Sequence, residues 1–289
     1  MSRSTSPTSF VTRFAPSPTG RLHRGHAYSA LAGWTRARET SGRFLLRIED
    51  IDRLRCRPMF AAAIEDDLRW LGLDWEQPVR RQSDHMADYL GALARLEGMG
   101  LLYRCFRTRS EILQTLAEAP HEAPDAHRPG RIGAREERQR LEAGEAFAWR
   151  LDAAVAISGL GASAPLSFVE RGRGPANEYG RIVIDPSSLG DVVLARKGLG
   201  VSYHLAVVVD DAAQGVTEVV RGRDLFAATP IQRLLQRLLG LPTPAYRHHR
   251  LLLRPDGKRF AKRDSQETLA QLRAEGVDPA TLRRELGFA

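Results

Sequence analysis

A chain of 289 residues is long for one compact unit, which leaves one large domain or two smaller ones. Hydrophobic residues make up 43% and charged residues 27%, and no apolar run approaches the roughly eighteen residues of a membrane span, which excludes a helical membrane protein. Lys and Arg number 43 against 35 Asp and Glu, a formal net charge of +8 that suits either a polyanionic partner such as nucleic acid or a solvated basic surface. The Ser/Thr-rich start, residues 1–9, has no apolar core behind its one basic residue and reads as a disordered lead-in rather than a secretory leader. Cys56 and Cys105 form no CxxC pair, so a disulfide framework is not expected and a reducing, cytoplasmic compartment is.

In chain order, "FVTRFAP" (Phe10 to Pro16) reads as a short strand stopped by a Pro-Ser-Pro-Thr-Gly turn, and Ala27 to Thr40 carries helical spacing. "RFLLRIED" (Arg43 to Asp50) reads as a buried strand, and Pro58 opens a helix with Ile64, Leu68 and Leu71 on one face. A further helix after Ser83 carries Tyr89, Leu93, Leu96 and Met99. This β-α-β-α alternation is the signature of an α/β fold with a parallel sheet covered by helices.

From about Tyr103 to Gly200 the pattern changes. A short strand, a helix near Ser110 to Ala119, a Pro/His-rich loop (Pro120 to Gly130), a charged helix (Ala134 to Ala143) and several short strands suggest an inserted smaller α+β domain. β and α elements then return in "YHLAVVVDD", "VTEVVRG", a helix at Pro230 to Leu239 and "HHRLLL", and two short helical segments, Glu267 to Glu275 and Pro279 to Leu286, end the chain.

Two segments carry chemistry. A strand running through a glycine-containing turn into a helix aims backbone N–H groups and a helix dipole at one point, and such a point attracts phosphate. In "HRGH", His23 and His26 flank Gly25 and can share one side of the first helical turn, while Gly25 leaves room for a flat ring. The same residues also fit a plain strand stop with surface histidines. Far downstream, "RPDGKRFAKRDS" (Arg254 to Ser265) places Lys258, Arg259, Lys262 and Arg263 around a turn after an apolar strand. A basic loop of this kind can close on a triphosphate, and it equally fits a solvated basic turn.

In this order, at either end of an α/β unit, the two segments resemble the HIGH and KMSKS signatures of class I aminoacyl-tRNA synthetases. "RFAPSPTGRLHRGHA", "LLRIEDID", "DDLRWLGLDWE", "RRQSD", "VVVDDAAQGVTEVVRGRDL" and "ATP" at Ala228 to Pro230 are similar to the glutamyl-tRNA synthetase group, from about Thr12 to Arg263. The resemblance implies a Rossmann-like class I catalytic domain split between residues 10–102 and 200–265. It implies an inserted acceptor-binding-like α+β domain at 103–199, and a C-terminal stretch 266–289 with no anticodon-binding domain.

By the same resemblance, Arg13, Ala15, Ser17, Glu49, Tyr203 and Arg221 hold L-glutamate, with Glu49 taking the substrate ammonium. That set suits the ligand, because a dianion with one cation calls for two guanidinium forks and one acid. His23, Gly25, His26 and Lys262 match ATP-binding positions, and His23, His26 and Lys262 are the catalytic ones, with Mg²⁺ arriving on ATP. The KMSKS match departs at Arg259, Phe260 and Ala261, where lysine, an apolar residue and serine are usual. The family's zinc site departs too: Cys105 remains, but Arg107, Arg128 and Ile132 stand at the other ligand positions, so no zinc is expected even with His121 and His127 nearby.

The chain ends soon after Arg263, and His204 stands where the full-length enzymes commonly place Asn. Both features resemble the short glutamyl-Q tRNA(Asp) branch, which transfers glutamate to queuosine at the wobble position of tRNA(Asp). The expected partners are therefore that tRNA, glutamate and ATP, with no membrane and a monomeric chain. A truncated enzyme charging a tRNA 3′ end, a non-catalytic tRNA-binding relic and a small-molecule nucleotidyltransferase are the competing readings.

Overall fold

Every residue of β1 (Val11–Phe14) is buried, as a central parallel strand requires. A computed structural model describes residues 9–107, 111, 128–161, 165–196, 200–252 and 268–288. β1 leads through the proline turn into α1 (Arg24–Glu39), followed by β2 (Arg43–Ile48), α2 (Pro58–Trp70) and β3 (Glu76–Arg81). β2 pairs parallel to both β1 and β3, with Val11 opposite Arg43 and Phe14 opposite Leu46. Pro58 opens α2 at its first position, where a missing N–H costs nothing.

After α3 (Met86–Gly98), the middle of the chain supplies β4 (Leu102–Cys105), α4 (Ala134–Glu142), β5 (Ala148–Leu151), α5 (Ala153–Ser158), β6 (Ser167–Glu170), β7 (Gly180–Val183), β8 (Val193–Arg196) and β9 (Gly200–Val201). β4, β5, β8 and β9 form an antiparallel sheet in that order. Apart from Glu111, the expected helix at 110–119 and most of the Pro/His-rich loop lie outside the described residues.

The last part holds α6 (Tyr203–Ala213), β10 (Glu218–Gly222), α7 (Thr229–Leu238), β11 (Ala245–His249), α8 (Leu269–Ala274) and α9 (Pro279–Glu285). "YHLAVVVDD" is helical despite its β-branched residues, because Leu205, Ala206, Val207 and Val208 are all buried among neighbouring helices and strands. β10 and β11 are parallel, and β6 joins them in parallel with Tyr246 opposite Glu170, so the middle segment extends this sheet. β10 lies beside β1: the Thr217 N–H donates to the Val11 carbonyl at 2.9 Å, which brings the two parallel sheets edge to edge.

Two apolar cores result. One packs α1, α2, β1 and β2 against the chain's end, where Leu269, Leu272, Leu282 and Leu286 cover Leu22, Ile64 and Leu68. The other joins Tyr89, Leu93 and Leu96 of α3 to Leu151, Phe168 and Leu194 of the middle segment and to Leu205 and Leu234 of α6 and α7. Among the described residues no helix is long and apolar enough to cross a membrane.

Candidate active site

The C-terminal ends of β1, β2, β10 and β11 open onto one cavity of about 530 Å³, the place where open α/β sheets bind ligands. Arg13, Ala15, Ser17, His23, Gly25, His26, Glu49, Tyr203 and Arg221 all line it. Lys262 lies outside the described residues. The chain around it leaves from Leu252 on the cavity wall and returns at Thr268, which bridges to His23.

The two histidines are built into the start of α1. His23 is the N-cap: its Nδ1 accepts from the Gly25 N–H at 3.1 Å, and its own N–H donates to His26 Nδ1 at 3.2 Å. The imidazoles stack with centroids 3.7 Å apart. Because each Nδ1 accepts a backbone hydrogen bond, each neutral ring carries its proton on Nε2, and the pair presents N–H donors beside a helix N-terminus.

Beneath the cavity floor lies a balanced cluster of charges. Arg13 Nε donates to Asp211 Oδ1 at 2.9 Å, and Arg47 Nη1 donates to the same oxygen at 2.8 Å. Arg47 Nη2 donates to Glu49 Oε1 at 3.2 Å, and its Nε stands 3.6 Å from Asp210 Oδ2. Asp210 in turn accepts from Arg80, Gln82 and Tyr89. Burial pushes the Glu49 carboxyl above its ordinary range, with Arg47 and Arg13 opposing. Burial also acts to raise Asp211, but Arg13 and Arg47 outweigh it and hold that carboxyl low.

Arg221 is held differently. Its Nε donates to His248 Nε2 at 3.0 Å, Nη1 to Gln232 Oε1 at 2.8 Å and to the Tyr203 hydroxyl at 3.4 Å, and Nη2 to Thr229 Oγ1 at 2.8 Å. All four acceptors are neutral groups, so Arg221 faces the cavity as a cation with no carboxylate bonded to it among the described residues, whereas Arg13 is already paired. One guanidinium open to an anion and a buried carboxylate open to an ammonium are what a zwitterionic amino acid needs.

Sequence reasoning missed Arg47, Asp210, Asp211, Glu170 and His248. Arg47, Asp210 and Asp211 are charged groups within or beside apolar runs, a signal that reports burial and a partner without naming the partner, whereas Glu170 ends a strand and His248 lies in a polar one, where no such signal exists. His204 sits on the first turn of α6 with its ring edge to Tyr203, and burial, helped by Arg221, pulls it down to about 4, so it is neutral. Cys105 is buried on β4, and among the described residues no group of three or more His, Cys, Asp or Glu is arranged to hold a metal; His121 and His127 lie outside them.

Parallel strands that end on a histidine-capped helix, with a charged amino-acid-sized cavity across the sheet switch, define the Rossmann-like catalytic fold of class I aminoacyl-tRNA synthetases. The description "tRNA synthetases class I (E and Q), catalytic domain" matches residues 9–288, and the chain belongs to that family and is a ligase. It is similar to a Rhodobacter capsulatus protein named glutamyl-Q tRNA(Asp) synthetase, 49% identical over 287 residues that cover 96% of this chain and 100% of that one. It is also similar to a glutamate–tRNA ligase of a Synechococcus species, 37% identical over 96% of this chain but 56% of the other. Among solved structures, a glutamate tRNA ligase from Elizabethkingia meningosepticum in complex with its amino acid superposes with a TM-score of 0.72 at 27% identity, over 89% of this chain and 53% of that one. The chain therefore spans about half of that structure's length.

Proposed function

We propose that this chain activates L-glutamate with ATP, without needing tRNA, and transfers the glutamyl group to queuosine at the wobble position of tRNA(Asp). The observation that carries the first half is the pairing of Arg221, bonded among the described residues to neutral acceptors, with the buried Glu49 carboxylate across one cavity. The full-length likeness to a glutamyl-Q tRNA(Asp) synthetase supports the second half.

In this reading Arg221 and Tyr203 receive one glutamate carboxylate, Arg13, whose Nε and Nη2 are held by Asp211, offers Nη1 to the other, Glu49 takes the ammonium, and Ala15 and Ser17 form the adjoining wall. ATP, as its Mg²⁺ complex, lies over Gly25 with its phosphates toward His23 and His26. A glutamate carboxylate oxygen attacks the α-phosphorus, pyrophosphate leaves, and the Nε2–H groups of the two histidines offset the charge that builds on the phosphoryl oxygens. Lys262 acts on the same phosphates. An acceptor group on the tRNA then displaces AMP. The proposed organisation keeps residues 10–102 and 200–265 as the catalytic unit, 103–199 as the insertion and 266–289 as a short C-terminal cover, working as a cytoplasmic monomer without zinc.

The likeness to a glutamate–tRNA ligase favours one other reading, glutamylation of a tRNA 3′ end. Glutamate-dependent ATP–pyrophosphate exchange in the absence of tRNA tests activation. Mapping labelled glutamate on tRNA(Asp) with and without queuosine tests the acceptor, and label on the 3′ adenosine would replace the proposed transfer with this second reading.

A further inference from the structure

His248 and Glu170 are 1% and 0% exposed and do not themselves line the cavity, yet both belong to one hydrogen-bond chain that ends on the lining residue Arg221. A guanidinium only donates, so His248 Nε2 must accept, and its ring hydrogen must sit on Nδ1. Nδ1 lies 2.5 Å from Glu170 Oε2, which fixes that tautomer by accepting a hydrogen bond from the Nδ1–H. Glu170 is itself immobilised, because its Oε1 accepts from the His248 N–H at 3.0 Å and the Gly172 N–H at 2.7 Å. Gly172 is packed so closely there that a Cβ would fall 2.3 Å from the His248 carbonyl oxygen.

The consequence for Arg221 is geometric. Of its five N–H groups, one is oriented by His248 and three by Gln232, Tyr203 and Thr229, which leaves one for a ligand in the cavity. Of these acceptors, His248 alone has, among the described residues, its acceptor role enforced by a buried carboxylate. Glu170 lies on β6, from the middle segment, and reaches the site only because β6 pairs with β11.

We propose that Glu170 and His248 are positioning residues that aim the Arg221 guanidinium at a carboxylate of the amino-acid substrate. The assignment rests on the glutamate-activating reading given above. The carboxylate of Glu170 places one formal negative charge behind a neutral imidazole, so Arg221 is oriented without being neutralised by direct contact. An amide cannot replace it: a single carbonyl oxygen cannot serve both the two backbone N–H groups and the Nδ1–H. In a Glu170→Gln variant, either the backbone donors face an NH₂ or the imidazole tautomer reverses and turns an N–H toward Arg221.

The test is ATP–pyrophosphate exchange by the full chain, with KM measured separately for glutamate and ATP. His248→Leu and Glu170→Gln should raise the KM for glutamate by about tenfold or more, the scale of one lost buried hydrogen bond, while the KM for ATP stays within about twofold. His248→Gln restores an acceptor for Arg221 Nε and should recover most of the glutamate KM, a rescue that a purely structural role would not show. Thermal unfolding and near-UV circular dichroism of each variant separate folding from positioning. Equal glutamate KM in His248→Leu and His248→Gln, or parallel increases in both substrates' KM, would overturn the proposal. Wild-type protein that shows no glutamate-dependent exchange would instead remove the functional reading on which it rests.

Discussion

Arg13 and Asp211 meet 198 residues apart in sequence, with Nε to Oδ1 at 2.9 Å and Nη2 to Oδ2 at 3.4 Å, in a site where both are buried. Arg47 shares the same carboxylate. The pair therefore ties the first strand of the parallel sheet to α6 and sets the floor on which an amino acid would lie.

Neutralising that carboxylate should destabilise the fold. Asp211→Asn leaves the buried Arg13 without its paired anion and removes one of the three carboxylates around Arg47, and we expect a loss of about 3–5 kcal/mol in urea unfolding at neutral pH. A loss below about 1 kcal/mol would show that the cluster relaxes around the amide. Because Arg13 and Arg47 hold Asp211 below the ordinary carboxylate range despite its burial, its contribution is present above that range and fades as the pH falls through its lowered value.

Asp67 has the opposite sign. It is fully buried on α2, its carboxyl oxygens make no hydrogen bond among the described residues, and Arg273 of α8 lies 3.7 Å from Oδ1. Burial pushes it up to about 6, with Arg273 and Arg21 opposing. Its protonated form favours the folded state, so this contribution is complete below the unfolded carboxyl value and is lost as the pH rises through about 6. We expect Asp67→Asn to be more stable than wild type at pH 7 by about 1–3 kcal/mol and to flatten the stability profile between about pH 4 and pH 6. A destabilised variant at pH 7 would mean that the Asp67–Arg273 attraction exceeds the burial cost.

His26 separates capping from catalysis. His26→Asn keeps a side-chain acceptor near the His23 N–H, and His26→Ala removes it at a cost of about 1 kcal/mol in stability. Both variants should lower kcat for pyrophosphate exchange by about 10²–10³ if the imidazole N–H stabilises developing charge. Wild-type kcat in His26→Asn would take the imidazole out of the mechanism.

Lys262 matches its role through the sequence motif alone. Lys262→Ala should slow adenylate formation more than about tenfold in single-turnover measurements and leave the melting temperature within about a degree or two, as expected for a group that acts in the transition state. An unchanged rate would remove it from the reaction.

Much of the site was legible along the chain. The strand, proline turn and histidine-capped helix are local events, governed by residues within one or two turns of one another, although α1 begins at Arg24, three residues before the Ala27 expected from its helical spacing, because His23 caps it. The positions expected to bind glutamate and ATP, from Arg13 to Arg221, converge on one cavity, with Lys262 outside the described residues. "HHRLLL" was less legible: the strand is Ala245–His249, and Leu251 and Leu252 pass beyond it to the cavity wall. A run of apolar residues marks burial, but it does not say whether a sheet or a ligand site buries them.

The alternation of strand and helix, the phosphate-type turn and the positions of the candidate ligand groups were determined by the sequence itself, because turn chemistry and hydrophobic period act over a few residues. Which charges neutralise one another was decided only by the tertiary structure. Nothing near Arg13 in the chain points to Asp211, and nothing near Arg221 points to Glu170 on β6. Sheet pairing brings these groups together across long separations, and in a buried site the identity of the nearest partner sets whether an arginine is already paired or open to a substrate carboxylate.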